Sequence, residues 1–216
     1  MKRLTTLLLF IIVALGSLQA QISHTANGDV DKKADEILKR AASKLNQPVM
    51  FDVAATVTNA DKQTTATAKA SVLYSKGKYR MTMPEQVLYC DGTATYHWQV
   101  EAKELVVSPM EQDGINLMNP GSIVTNYAKN FRPKYIRTEP DGTAIVDLQP
   151  RQAASYHKVR LFVVEKTGLL KRMEVHRYDS SREEFVVTNF KTTRATDSDF
   201  RFDAKAHPEV EVIDMR

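Results

Sequence analysis

The side chains most able to bind a metal or move a proton are five histidines, His24, His97, His157, His176 and His207, and their spacing supports neither role. Structural zinc and calcium sites need ligands at short fixed intervals or in an acidic loop. The sequence has no H-E-x-x-H, no C-x-x-C and no repeated acidic loop. Its one cysteine, Cys90, lies in an apolar run without an activating neighbour and reads as a small buried hydrophobe, not a nucleophile. A G-x-S-x-G elbow and a glycine-rich phosphate loop are both absent. Glu183 and Glu184 are adjacent on a predicted strand, so they point to opposite faces and do not form an acid/base couple. His97, between Tyr96 and Trp98, is expected to face outward. The reading is therefore of a protein that is not an enzyme, with no catalytic residue, no metal and no cofactor.

Without a reaction centre, the ends and the composition carry more of the argument. Met1-Lys2-Arg3, an apolar run from Leu4 to Leu15 and the small-residue exit Gly16-Ser17-Leu18-Gln19-Ala20 have the parts of a secretory signal peptide. The run is short for a membrane span, which needs about 20 apolar residues. Residues 1–20 are thus expected to be a signal peptide cleaved near Ala20, and 21–216 a single domain in the periplasm. With one cysteine, an exported chain has no internal disulfide and must be stabilised by a core. The formal net charge is +4, of which Lys2 and Arg3 supply two, and basic residues are interspersed with acidic ones. No nucleic-acid partner is expected.

Val30, Ala34, Ile37, Leu38, Ala41 and Leu45 recur at helical spacing, with Asp29 or Asp31 to cap the start and Pro48 beyond the end. After Pro48 the period changes to two. Eleven strand-like segments run from Met50–Thr58 to Glu183–Lys191, and a C-terminal pair is expected around Phe200–Phe202 and Val210–Ile213. Turn residues such as Lys76-Gly77, Asp91-Gly92, Asp141-Gly142 and Thr167-Gly168 separate many of them, which predicts a large antiparallel meander. A sheet of that size curls. The fold class expected is mainly β with helices (α+β), an incomplete antiparallel β-barrel of about eleven strands closed by a helical lid. The lid is the apolar insertion INLMNPGSIVTNYAKNF, residues 115–131, in which Ile123, Val124, Tyr127, Ala128 and Phe131 share a helical stripe after Leu117 and Met118. A plug, a mobile lid and a fixed core helix all fit this pattern.

Several strands carry large, pliable apolar groups on one face. Tyr79, Met81 and Met83 alternate with Lys78, Arg80 and Thr82, and Tyr96 and Trp98 with Thr95 and His97. Leu105, Val146 and Leu148 continue the pattern. Aromatics with Met suit an adaptable apolar pocket, although alternation is equally the mark of a filled core.

The order of motifs resembles the LolA-type family of periplasmic lipoprotein carriers. SVLYSKGKYRMTMP looks like the family's aromatic strand ending in proline, and EQVLYCDGTATYHWQV like its strand, Asp-Gly turn and strand with two alternating aromatics, here Tyr96 and Trp98. KELVVSP, NPGSIVTNYAKNF and DFRFDAKAHPEVEVID follow where the family has its next strand, its proline-started lid helix and its closing F-x-F, turn and strand. The resemblance implies a half-open barrel that holds acyl chains on Tyr79, Met81, Met83, Tyr96, Trp98, Leu105, Val146 and Leu148. The lid would be Leu117, Met118, Ile123, Val124, Tyr127 and Phe131. The family's lid-latching arginine falls near Ser75-Lys76, which leaves Lys76 or Arg80 for that role. Implied partners are acylated lipoproteins, an inner-membrane lipoprotein export complex and an outer-membrane acceptor, with the carrier a monomer. A carrier or sensor of another lipid or glycolipid is the alternative in the same fold.

Overall fold

A computed structural model describes residues 31–110 and 120–216. The expected signal peptide and His24, and the lid residues Leu117 and Met118, lie outside the described residues. Helix α1, Lys32–Ser43, forms where the helical period predicts, and buries Ala34, Ile37, Leu38 and Ala41. Asp31 is its N-cap: one carboxylate oxygen accepts from the Ala34 amide at 3.0 Å. The other accepts from the Tyr135 amide at 2.8 Å, so the residue that starts the helix also fastens it to the sheet.

Eleven strands follow in the predicted places. They are β1 Val49–Thr58, β2 Thr64–Ser75, β3 Lys78–Thr82, β4 Gln86–Cys90, β5 Ala94–Gln99 and β6 Glu104–Pro109, then β7 Phe131–Thr138, β8 Thr143–Pro150, β9 Tyr156–Val164, β10 Leu169–Arg177 and β11 Arg182–Thr192. Two short helices, α2 Pro120–Thr125 and α3 Tyr127–Asn130, precede β7. A twelfth strand, β12 Glu211–Asp214, joins β6 in parallel at one edge. The sheet runs β12-β6-β5-β4-β3-β2-β1-β11-β10-β9-β8-β7 and does not close. No helix among the described residues is long and apolar enough to cross a membrane.

Three expectations are corrected. The sheet is not one meander but two, β1 to β6 and β7 to β11, joined because β1 pairs with both β2 and β11. The chain therefore leaves β6 near one edge and re-enters as β7 at the other, and α2 and α3 lie on that crossing. Phe200–Phe202 is not a strand: Asp197–Phe200 is a 3-10 turn, fixed by a capping box between Thr196 and Asp199. Phe131 is the first residue of β7 and not the end of a lid helix, and Ala128 is exposed. Pro133 two residues later would interrupt a helix but is tolerated in an edge strand, which β7 is.

Candidate functional site

Directly opposed residues on paired strands share a face of the sheet, so the register sorts every side chain. One row runs Val146, Leu161, Met173, Phe185, Ala55, Ala68 across β8 to β2. A second runs Phe51, Val72, Met81, Leu88, His97, Val106 across β1 to β6. Both belong to the concave face. The helices press on it: α1 residues pack with Ile123, Val124, Tyr127 and Phe131 against Val146, Leu148, Leu161 and Met173 in one buried cluster. Beyond the helices the same face continues as Phe185, Ala55, Val57, Ala66 and Ala68, which are half-buried, while Ala54, Thr67 and Lys69 on the opposite face are exposed.

Two contacts seat α2 and α3. Gly121 lies against the ring of Tyr74, so close that a Cβ there would stand 2.4 Å from Cε2 and 2.6 Å from Cζ. The Tyr74 hydroxyl is itself held, accepting from the Gly77 amide at 3.1 Å. The Tyr127 hydroxyl donates to Asp35 of α1 at 2.5 Å. Burial, and then the Asp35 carboxylate, push the Tyr127 hydroxyl far above the usual tyrosine range. Lys39, and then Tyr127, hold Asp35 below the usual aspartate value. Between helices and sheet remains a pocket of about 30 Å³ lined by Ala41, Leu45, Phe51, Val124, Leu170, Val187, Phe190 and their neighbours. The Tyr156 hydroxyl, buried in the adjoining core without a partner among the described residues, is pushed up to about 12 by that burial. The arrangement can enclose apolar matter. Among the described residues no group of three or more His, Cys, Asp or Glu is placed to hold a metal.

The sequence-derived residues divide between the two faces. Tyr79, Met81, Met83, Val146 and Leu148 are on the concave side, in two adjoining clusters. Tyr96, Trp98 and Leu105 are not. Tyr96 opposes Tyr89, and Trp98 opposes Val87 and Leu105, all on the convex face. There Trp98 packs on Phe202 and His207 of the C-terminal segment, with ring centroids 5.3 and 4.5 Å away. His97 is correspondingly concave, opposite Leu88, with Nε2 2.5 Å from Gln86 Oε1 and burial lowering its pKa. The outward placement expected for it is thus reversed. Arg80 also faces the convex side, 4.0 Å from Asp199, and so stands away from α2. Lys76 is exposed in the β2–β3 turn, two residues beyond Tyr74. Sequence reasoning passed over Phe51, Tyr74, Phe185, Val187 and Phe190, although Phe51, Phe185 and Val187 sit in strands whose alternation was visible.

This division makes a spectroscopic prediction. Trp98 is the protein's single tryptophan. An apolar ligand that enters the concave hollow should leave its emission maximum unchanged. A ligand-dependent shift, followed by titration with a non-absorbing fatty alcohol, would locate binding on the convex face instead.

No family model and no curated protein sequence matches this chain. Solved structures do. A protein of Thermus thermophilus superposes with a TM-score of 0.58 over 84% of this chain and 98% of its own, at 13% identity. A LolA superfamily protein of Nitrosomonas europaea covers 79% of this chain and 98% of its own at 13% identity, with a TM-score of 0.46. A domain of Vibrio parahaemolyticus assigned to outer membrane lipoprotein sorting covers 79% and 97% at 9% identity, with a TM-score of 0.47. What this chain shares with the Thermus protein is the fold.

Proposed function

We propose that this chain is a periplasmic carrier that holds the acyl chains of lipoproteins in the concave hollow and moves them from the inner to the outer membrane. One observation carries the reading: the apolar concave face runs on past its helical cover, from the buried Val146, Leu161 and Met173 to the half-buried Phe185, Ala55 and Ala68. A filled core would end where its helices end. A triacylated lipoprotein has about 45 methylenes at roughly 0.8 kcal/mol each, tens of kcal/mol that water does not accommodate. A carrier must offer comparable apolar surface and then withdraw it. Ile123, Val124 and Tyr127 of the two short helices supply that surface from the protein itself while the hollow is empty. Tyr79, Met81, Met83, Val146 and Leu148 supply the wall against which chains would lie. Lys76, beside the Tyr74 contact, is the remaining latch candidate. Nothing in this reading calls on a cofactor. Its partners would be acylated lipoproteins, an inner-membrane export complex and an outer-membrane acceptor, with the carrier a monomer exported by residues 1–20.

Native mass spectrometry with lipid extraction, on protein purified from a Gram-negative periplasm, tests this directly. Bound acylated lipoproteins or their lipid-modified N-terminal peptides are expected. Phospholipid or glycolipid alone would keep the hollow and move the function to a carrier or sensor of another lipid. A clean apo mass with no uptake of an added apolar probe would mean that the hollow is a filled core.

A further inference from the structure

Strand β11 carries an extra residue opposite β1. Met50 pairs with Lys191 and Asp52 with Thr188, so Phe51 alone faces both Asn189 and Phe190, and Asn189 takes a left-handed φ of 53°. Bulges of this kind re-aim a side chain and loosen the local ladder. Here the consequence is specific. Phe185 and Val187 are concave, and by strict alternation Phe190 would be convex. The extra residue turns it back, and its ring stacks on Phe51 with centroids 6.0 Å apart and planes 16° from parallel.

The stacked pair stands between two spaces. On its inner side is the 30 Å³ pocket, reached by Leu45 of the α1 end, Val124 of α2 and Leu170 of β10. On its outer side is an open cleft of about 430 Å³ lined by Met50, Asp52, Asn189 and Lys191. Phe51 and Phe190 line both. The inner pocket is lined almost wholly by apolar side chains, so a saturated alkyl chain is the matter it suits. Lys191 and Asp52 at the cleft balance in charge, and Asp52 is already engaged by Asn189 at 2.7 Å, so the cleft does not select a charged headgroup.

We infer that the β1–β11 bulge is the portal through which an alkyl chain enters the hollow, with the Phe51–Phe190 stack as its gate. The inference rests on the carrier reading and assigns that site an entrance. Phe190 is half-buried at the sheet's rim, so its ring can swing out without opening the α1–α2 core. The displaced stacking is replaced by contact between the rings and the incoming chain.

Stopped-flow uptake of N-phenyl-1-naphthylamine, a neutral fluorescent apolar probe, tests the gate. Phe190→Ala should raise the association rate about fivefold or more, and Phe190→Trp should lower it, because a step that precedes binding sets the on-rate. Tyr178→Ala, an exposed aromatic in the β10–β11 turn outside the hollow, should change it by less than about twofold. Far-UV circular dichroism checks that each variant is folded, and either Phe190 variant alone suffices. Equal association rates for wild type and both Phe190 variants would overturn the portal while leaving the hollow as a binding site. A wild-type protein that takes up no probe would overturn the hollow and the portal together. Displacement of bound probe by a triacylated lipopeptide, or by phosphatidylglycerol, with the same dependence on Phe190 supports the portal and identifies whose chains pass through it.

Discussion

Replacing Asp91 by alanine should lower stability by about 3–5 kcal/mol, because one change takes the acceptor from several buried donors. The carboxylate is 6% exposed. One oxygen accepts from the Thr93 amide, the Thr93 hydroxyl and the Ala94 amide at 2.9, 2.7 and 2.9 Å. The other accepts from Tyr96 at 3.1 Å and from Arg201 at 3.0 Å. Asp91 therefore shapes the β4–β5 turn and ties the C-terminal segment to it. Without the carboxylate, buried donors in the turn lose their acceptor, which is more costly than the loss of a surface pair. The Arg201 contact adds less, since that guanidinium is largely solvated.

The same site fixes a pH dependence. Burial raises the Asp91 pKa, but the hydrogen bonds from Ala94, Thr93 and Tyr96 outweigh it and hold the group far below the usual aspartate range. A depressed folded-state value means that the stabilisation is complete above the unfolded value of about 3.9 and is lost as pH falls below it. Urea unfolding of wild type and Asp91→Asn should show a clear gap in midpoint at pH 6 that narrows steadily below about pH 4. A gap independent of pH would mean that the charge is not what stabilises the turn.

Gly121→Ala should cost about 1–3 kcal/mol and lift α2 from the sheet. The added Cβ would meet the Tyr74 ring at 2.4 Å, a separation that cannot persist. The ring has little room to yield, being 2% exposed with its hydroxyl bound to the Gly77 amide. The six-residue helix is the weaker partner, held by Val124 and Ile123 on the core and by the neighbouring Tyr127–Asp35 bond. The variant should bind an apolar probe more tightly than wild type while it unfolds at lower urea. Tyr74→Leu combined with Gly121→Ala should restore much of the lost stability, a coupling that a double-mutant cycle measures. Additive effects of the two changes would show that the Tyr74–Gly121 contact does not seat α2.

Helix α1 was legible because its apolar residues repeat every three or four positions along an otherwise charged segment, and Asp31 supplies its cap. The strands were legible because one face of most of them is apolar and the other polar, so the period of two is plain in β2, β3 and β9. The general form, a curled sheet with a proline-started helix inside it, follows from those patterns and from the number of strands. What the chain by itself did not reveal is which strand lies beside which. Alternation places Tyr96 and Trp98 on one face together, but in β5 the apolar face is the convex one, covered by the C-terminal segment, while Thr95, His97 and Gln99 lie on the concave side. The polar face of β5 therefore points to the wrong side, and only the pairing of Tyr89 with Tyr96 and of Val87 with Trp98 assigns the aromatics to the convex side. Phe190 was hidden for a related reason: the bulge at Asn189 breaks the period that sequence reading relies on, and turns outward to inward in a single residue. Local periodicity determined the elements; the hydrogen-bonded register, a property of residues distant in the chain, decided which of their side chains meet in the hollow.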